Sequence, residues 1–574
     1  MPLIDKTFVA EYDLLDVTAA NDASCITDYN QDFADINLLP FGSEFINYAT
    51  FEKNFFLLDG SLAIMPEIPS NIAFYSNTLS NVDGTFDENP FIDIQFTKQH
   101  STVALTMNFI DVHPLEIAVK FFTLSNTLLN SKTVKVTSNE FILELPVTNY
   151  GKIRIEFLKT LPNHFIKINK LEFGRRFVWD ETNIISANLV EEKSLITETI
   201  AINTLNFEVY DPEDMYNLGN PEGFHKYIQK GQYLKPYEII NGNKLYLGDY
   251  YVNKFSISQN SVKFNCFATE GNMDSFTFYK GCVYEGELAG VIIESIFHAC
   301  GITNYEIDEA TYNHKIYGAI PPMTCREAMS KVLFACNSTL DSSRTSLVRI
   351  CKSNRAIAGK IGVDRKISTK ITRADYISGV KLSYKSYSLQ EDVSEILKDT
   401  FSTGTHLIQF DSPAKNITTS LGSIVEAGDF YCILKVDEPG EVILSGNEYK
   451  KSDLYKTVSV SNIESGEISN IKEFSDVLVN NITAEELGKL LLEYYSFRLK
   501  IDIQYLADYE DVSSWYNVQN PQTQYDDFVG GMESITTDLT GGFVATAKLV
   551  GYYDTSSKSY YCGNEIYANN DFII

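Results

Sequence analysis

Along "GKIRIEF", residues 151–157, apolar and charged side chains alternate at every position. Ile153, Ile155 and Phe157 fall on one side of an extended chain and Lys152, Arg154 and Glu156 on the other, which is the period of a strand with one buried face. The same alternation recurs in "TVALTMNF", with Val103, Leu105, Met107 and Phe109 inward, in "LEIAVKFF", with Leu115, Ile117, Val119 and Phe121 inward, and in "FILEL". Clusters of Asn, Ser, Asp and Gly separate these runs, and no convincing helical run interrupts them. Many short alternating strands restrict residues 1–175 to a two-sheet sandwich. Pro162 and Asn163 supply turn chemistry, so residues 151–174 read as a hairpin, with a slip around Asn169 and Lys170 that suits a bulge. A boundary is placed near Gly174.

A chain of 574 residues exceeds what one core supports and divides into about three to five domains. Its 35 Tyr and 36 Phe favour strands, because flat half-buried rings pack on a pleated surface. From 176 to 281 the pattern stays extended, as in "TLNFEVYD" and "KLYLGDYYVNKFSISQNSVKFNCFA", and reads as the first part of a barrel. The turn-rich "DPEDMYNLGNPEG" stands between two of its strands.

Residues 282–355 change texture and read as an α/β insertion. "EGELAGVIIESIFHACG" sets Leu288, Val291, Ile292 and Ile296 at helical spacing and stops at Gly301. "TCREAMSKVLFACN" opens with Thr324 and Glu327 in capping-box relation and buries Ala328, Val332, Leu333 and Cys336. Residues 356–398 are expected to supply return strands of the barrel, and 399–480 a further β-rich module. In 481–574, Thr483 and Glu486 are expected to cap an amphipathic helix with Leu487, Leu490, Leu491 and Tyr494 inward, followed by closing strands in "MESITTDLTGGFVATAKLVGYY".

With 47 Lys and Arg against 76 Asp and Glu, the formal charge is -29, which opposes phosphate neutralisation and sequence-specific nucleic-acid binding. The acidic opening "MPLIDKTFVAEYDLLD" and the broken apolar stretch "FFLLDGSLAIMPEIP" do not read as secretory or membrane-spanning segments. Nine cysteines without a CxxC spacing are expected to be free thiols made in a reducing cytoplasm.

The sequence carries no phosphate-binding loop, dinucleotide fingerprint, nucleophile elbow or HExxH. His100, His113, His164, His225, His298, His314 and His406 are scattered without ligand spacing, and His298 on an apolar helix is more often packed than a ligand. Cys300 and His298 stand two apart on one helix and do not face each other as a nucleophile and base must. Gly541 and Gly542 fit a tight turn before a strand better than a phosphate cradle. Asp211, Glu213 and Asp214 lack the spacing of a calcium loop and read as a solvated turn. Paired carboxylates for glycoside hydrolysis are left open by 76 acids. No catalytic, cofactor or metal residue is assigned, no cofactor is expected, and ligand-binding residues stay unassigned.

Module order carries more than any motif. "IISANLVEEKSLITETIAINTLNFEVYDPEDMYNLGNPEGFHKYIQKGQYLKPYEI", then "GDYYVNKFSI" and "VKFNCFATEGNMDSF", resembles the first barrel of the bacteriophage baseplate hub, or tail-tip hub, family. The strand texture then returns at "ITRADYISGVKLSY", and "MESITTDLTGGFVATAKLVGY" resembles the family's closing strands. Residues 1–175, with "KIRIEF" and "FIKINKLEFG" as last strands, resemble galactose-binding or discoidin-type jelly rolls. The fold so implied is mainly β and multidomain: a jelly-roll sandwich, tail-tube-like barrels split by an α/β insertion, and one C-terminal amphipathic helix. The resemblance implies a homotrimer without enzymatic activity, located in the virion at the tail tip and assembled in the host cytoplasm. Each chain would bring two barrels, one from 180–280 with 356–395 and one from 400–574. Implied partners are the tail tube protein, the distal tail protein, the tape measure and the spike or fibre, around a DNA or effector channel. The alternatives are a receptor-binding protein gripping a host cell-wall glycan through residues 1–175, and a tail-associated cell-wall hydrolase.

Overall fold

The computed structural model describes residues 6–26, 74–109 and 112–553, excluding positions 77, 194, 197, 218, 221–227, 229, 353–354, 464, 513 and 520–526, together with the backbone of 559–562 and 565–569. The stretch "FFLLDGSLAIMPEIP" and His225 lie outside these residues. The fold is mainly β and multidomain. The chain forms two compact units, one from Glu11–Val178 and one from Met1–Ala10 with Trp179–Ile574.

The smaller unit is a sandwich. Its strands are β1 (Lys6–Leu15, shared with the larger unit), β2 (Ser24–Ile26), β3 (Phe74–Tyr75), β4 (Phe91–Phe109), β5 (Glu116–Phe122), β6 (Leu128–Lys135), β7 (Glu140–Lys159) and β8 (Lys167–Trp179). β4 and β7 are long enough to take part in both sheets. Their ladder slips at Gln95, His100 and Thr102, and each slip bends the pair from one sheet into the other. One sheet runs β6, β5, the second half of β7, the first half of β4, β2; the other runs the first half of β7, the second half of β4, β8, β3. Ile153, Ile155 and Phe157 are fully buried between them, as the alternation requires.

The hairpin expected over 151–174 does not form. β7 pairs with β4 and β5, while β8 pairs with the other end of β4, so the turn at Pro162 and Asn163 carries the chain across the core instead of back along its neighbour. Alternation sets the face of a strand but is blind to its partner. The bulge is present: Asn108 faces Lys170 and Phe109 faces Ile168, leaving Asn169 unopposed. The charged face of β7 is bound in an ionic ladder, with Arg154 forked onto Asp93 at 2.5 and 2.6 Å, Lys152 on the same carboxylate at 2.9 Å, and Glu156 accepting from Lys120 at 2.7 Å.

A short helix missed by periodicity, α1 (Val17–Asp22), is capped by Asp16, whose carboxylate accepts from the Ala19 N–H at 2.9 Å. Asp22, at its end, accepts from the Thr97 and Lys98 amides at 2.9 and 3.0 Å, from the Thr97 hydroxyl, and contacts His100 Nε2 at 2.8 Å. Partial desolvation pushes this carboxyl up, but the combined hydrogen bonds from Thr97, His100 and Lys98 outweigh it and hold the group at about 2.

The larger unit opens with a β-sheet of β9 (Ile184–Glu192), β10 (Thr204–Tyr210), β11 (Tyr233–Ile240), β12 (Asn243–Tyr246), β13 (Tyr250–Ser258) and β14 (Ser261–Ala268). The antiparallel order is β9, β10, β14, β13, β11, with β12 continuing the line of β13 beside β11. Aromatic rings fill its interior. Phe207 stacks on Phe264 at 4.9 Å, and Trp179 lies 4.9 Å from Phe264 and donates its indole N–H to the Tyr216 hydroxyl at 3.0 Å.

The helix α2 (Thr269–Asn272) leads into the α/β region, made of β15 (Thr277–Phe278), β16 (Val283–Leu288), α3 (Ala289–Ala299), β17 (Tyr305–Ile307), α4 (Glu309–Tyr312), β18 (Lys315–Ala319), β19 (Met323–Thr324), α5 (Cys325–Cys336), β20 (Ser338–Asp341) and β21 (Val348–Lys352). α5 carries the expected Thr324–Glu327 capping box, and Gly301 ends the α3 segment at φ 71°. This region has no core of its own. Its helices pack in one cluster with Val380, Leu382, Phe474, Val477, Leu487 and Leu491 from later in the chain.

Two strands, β22 (Ile357–Ile361) and β23 (Lys366–Arg373), precede a long ribbon of β24 (Gly379–Phe401) and β29 (Gly440–Ser459). The ribbon carries β25 (Gly404–Gln409), β26 (Ala414–Thr419), β27 (Ser423–Ala427) and β28 (Tyr431–Val436) around a small core of Ile408, Cys432, Leu434 and Leu444, and β30 (Ile471–Phe474) runs parallel to β24. α6 (Asn481–Ser496) is capped by Asn480 and Thr483 instead of Thr483 and Glu486, because the Asn480 side chain reaches the Ile482 and Thr483 amides at 2.9 Å and Thr483 answers to the Asn480 amide. Leu487 and Leu491 are buried as expected, whereas Leu490 is exposed.

The chain closes with β31 (Leu499–Leu506), β32 (Trp515–Val518), β33 (Phe528–Asp538) and β34 (Val544–Tyr553). Here the pairing departs from the sequence reading. β22 and β23 do not return to the first sheet: β22 pairs with β32 and β23 with β31, giving the order β22, β32, β33, β34, β31, β23. The two end strands are joined by only four residues, so the sheet curls until its edges meet. Arg365 sits in that turn, donates to the Lys360 carbonyl at 3.0 Å and pairs with Glu510 at 2.6 Å. Return strands found by texture alone have no address, and the partner that completes this core is the C-terminal set.

Candidate functional site

The residues weighed for chemistry do not converge. His298 is exposed on α3 and not packed, because Ile292, Ile293, Ile296 and Phe297 form the buried stripe there. Cys300 turns inward, its thiol donating to the Ile296 carbonyl at 2.9 Å, and its neighbour is the Cys325 thiol. The Asp211 carboxylate accepts from the Met215 and Tyr216 amides at 2.9 Å, while Glu213 is exposed, so the acidic stretch organises a turn. Gly541 and Gly542 also sit in a turn, where Asp538 accepts from the Thr540 and Gly541 amides at 3.0 and 2.9 Å. His113, His164 and His406 each contact a nearby backbone carbonyl, at 2.9, 2.7 and 2.7 Å. His314 is half-buried, and its burial, then Lys352, pushes its pKa down. Among the described residues no group of three or more His, Cys, Asp or Glu is placed to hold a metal ion, and no helix is long and apolar enough to cross a membrane.

Built polar structure appears where the two barrel-like sheets of the larger unit join. β33 pairs with β34 along most of its length, but its last residues also pair with β9, Ser534 with Glu192 through Asp538 with Asn188. A continuous ladder therefore fuses the sheets edge to edge. Along β9, Ala187, Leu189 and Glu191 occupy the buried phase, so a carboxylate stands where the pattern demands an apolar side chain. Glu191 is fully buried and is met by Arg344, with Nη2 and Nε at 2.9 and 3.3 Å from its two oxygens. Arg344 holds a left-handed φ of 55°, which turns its side chain inward from the loop after β20. Burial opposes its charge, but the Glu191 carboxylate outweighs this and raises the guanidinium pKa.

A second buried pair repeats the device. Glu238 stands in the buried phase of β11 and is met by Lys6 at 3.2 Å. Lys6 also donates to the Ala507 carbonyl at 2.9 Å and lies 5.4 Å from the centre of the Phe543 ring, so one ammonium ties the first sheet to the second. Lys193 and Asp341 add a looser pair at 3.6 Å. Sequence reasoning missed Glu191, Glu238, Arg344 and Lys6. The available signal was an acid in the buried phase of an otherwise apolar alternation, "ANLVEE" and "YLKPYEII".

Glu270, on α2, is buried beside this junction and accepts from the Ser342 hydroxyl at 2.6 Å. Burial raises its pKa to about 7, against the lowering effect of Ser342. A carboxyl raised in the folded state contributes stability fully below its ordinary value of 4.5 and loses it as pH rises through about 7. Glu270→Gln is therefore expected to unfold at a higher temperature than the parent at pH 8, and the difference to disappear at pH 5. Thermal unfolding at the two pH values checks this, and an equal difference at both would remove the assignment.

No family model matches the chain, and no curated protein matches it. Solved structures with similarity include the 43 kDa tail protein of prophage MuSo2 from Shewanella oneidensis, at 11% identity and a TM-score of 0.39 over 65% of this chain and 96% of that one. A tail protein from Neisseria meningitidis MC58 gives 8% identity and a TM-score of 0.39 over 64% and 91% of the two chains. Prophage tail protein gp18 from Listeria monocytogenes EGD-e gives 9% and 0.38 over 66% and 92%. All three are tail proteins, two of them from prophages.

Proposed function

We propose that this chain is a structural hub at the tip of a phage tail or tail-like particle, joining the tail tube to a spike or fibre and lining part of the channel. The observation that supports it is the rigid coupling of two barrel-like sheets in one chain, through the β9–β33 ladder and the buried Glu191–Arg344 and Glu238–Lys6 pairs. A subunit that presents two similar β modules at a fixed spacing lets three copies offer six, which matches a sixfold tube to a threefold spike. In this reading the assembly is a homotrimer in the virion, made in the host cytoplasm and contacting the tail tube, distal tail and tape measure proteins, and it has no catalytic activity. Three copies each carry a formal charge of -29, which suits passage of DNA without counterion-release binding.

Light scattering with negative-stain imaging of the purified full-length protein tests this. A threefold ring with a central hole is the expected result. A strict monomer both alone and with its tube partner would sink the trimer. Zymography on host peptidoglycan addresses the hydrolase alternative, which a clearing zone would support.

A further inference from the structure

The sandwich carries a feature that the assembly reading does not use. Within a chain of formal charge -29, residues 120–178 hold ten Lys and Arg against four Glu and no Asp. Six of those cations are neutralised: Lys120, Lys152, Arg154, Lys170, Arg175 and Arg176 each meet a carboxylate. Lys132 and Lys135 do not. The Lys132 side chain reaches only the Glu144 carbonyl at 3.5 Å, and that of Lys135, which stands opposite Glu116 in the β5–β6 ladder, makes no hydrogen bond or ion pair among the described residues.

Both lysines lie on β6, which is the outer strand of its sheet, while the first half of β7 is the outer strand of the other. Between these two margins the sandwich opens into a cleft of about 600 Å³. Its floor is the rim of the core, Val134, Phe141 and Leu143, and its walls bring in Lys132, Lys135 and Arg175 together with Glu144, the carboxylate that Arg175 meets. Phe141 and Val134 are only partly buried, so the floor offers an apolar face to a ligand.

We propose that this cleft binds a phosphodiester-linked sugar or polyol chain. Arg175 already faces Glu144 and lies 4.4 Å from the centre of the Phe177 ring, so its planar fork is occupied. The free donors are two lysine ammoniums, compact point charges that suit phosphate better than the bidentate reading of a carboxylate. An open cleft rimmed by two edge strands suits a chain more than a small molecule. An added peptide strand is disfavoured, because lysines on an edge strand oppose pairing with another strand. One partly buried phenyl ring is no stacking platform for successive nucleobases, which sets nucleic acid aside.

The test uses the full-length protein, titrated calorimetrically with a glycerol-phosphate oligomer and, in parallel, with an oligogalacturonate, a neutral malto-oligosaccharide and an oligothymidylate. The glycerol-phosphate oligomer is expected to bind, and to weaken by about tenfold between about 50 and 200 mM salt, since two or so phosphates are neutralised. Lys132→Gln with Lys135→Gln is expected to weaken it by about tenfold or more. Both positions are exposed, so folding is left intact and is checked by circular dichroism. Phe141→Leu keeps the charges and narrows the floor, and a loss of affinity with unchanged salt dependence supports the cleft. Absence of glycerol-phosphate binding, equal binding of the oligothymidylate, tighter binding of the galacturonate, or wild-type affinity in the lysine variant would each overturn the proposal. The oligomeric state is read separately on the same sample, so failure here and failure of the hub reading are distinguishable.

Discussion

Arg344→Met will lower the stability of the larger unit by about 3–5 kcal/mol, the usual cost of removing one partner of a buried ion pair. The reason is what remains. Glu191 is fully buried and faces Arg344 through both oxygens, so the variant strands a carboxylate at the seam between the two sheets. The charge must then be hydrated by opening the seam or be protonated at a cost. Glu191→Gln added to Arg344→Met is expected to recover part of the loss, because the orphaned charge is gone. The chain has only two tryptophans, Trp179 and Trp515, and both belong to the larger unit, so their fluorescence in a urea titration follows this unit. A single variant that unfolds within about 1 kcal/mol of the parent would mean that the seam is held by its backbone ladder alone.

Phe157→Ala is the second large effect, about 3–5 kcal/mol, placed in the sandwich. Phe157 is fully buried in the cluster with Ile117, Ile155 and Val119, and truncation leaves a cavity that a two-sheet core closes poorly. No tryptophan reports on this unit. Hydrogen exchange of the β5 and β7 amides is the measurement, and protection factors should fall there while those of β31 to β34 hold. A uniform fall across both units would contradict their description as separate cores.

These two residues mark the limits of what the sequence disclosed. Phe157 was legible, because period-two alternation states which side chains face inward whatever the partner strand is. Arg344 was not, since nothing near it announces that Glu191, 153 residues earlier, waits in the buried phase of β9. The same division holds for architecture. The sandwich, the barrel-like texture, α5 with its capping box and the bulge opposite Asn108 and Phe109 follow from local chemistry. Partners do not: β7 and β8 share a turn without sharing a ladder, and β22 and β23 join strands that follow them by more than a hundred residues. The cap of α6 failed for a related reason, as two candidates stood three apart and Asn480, with two amides in reach, took the place of Thr483. The inter-sheet junction was invisible as a site, although a Glu in the inward phase of two strands was there to be noticed.

The β9–β33 seam also orders events in time. Glu192 and Ser534 are partners 342 positions apart (534 minus 192), so β9 waits for several hundred further residues to be synthesised before β33 exists. Closure of so long a loop is entropically costly and comes after the local ladders have formed. Throughout that interval the growing polypeptide carries β9 with one edge unpaired, a template for mispairing with a neighbouring nascent chain.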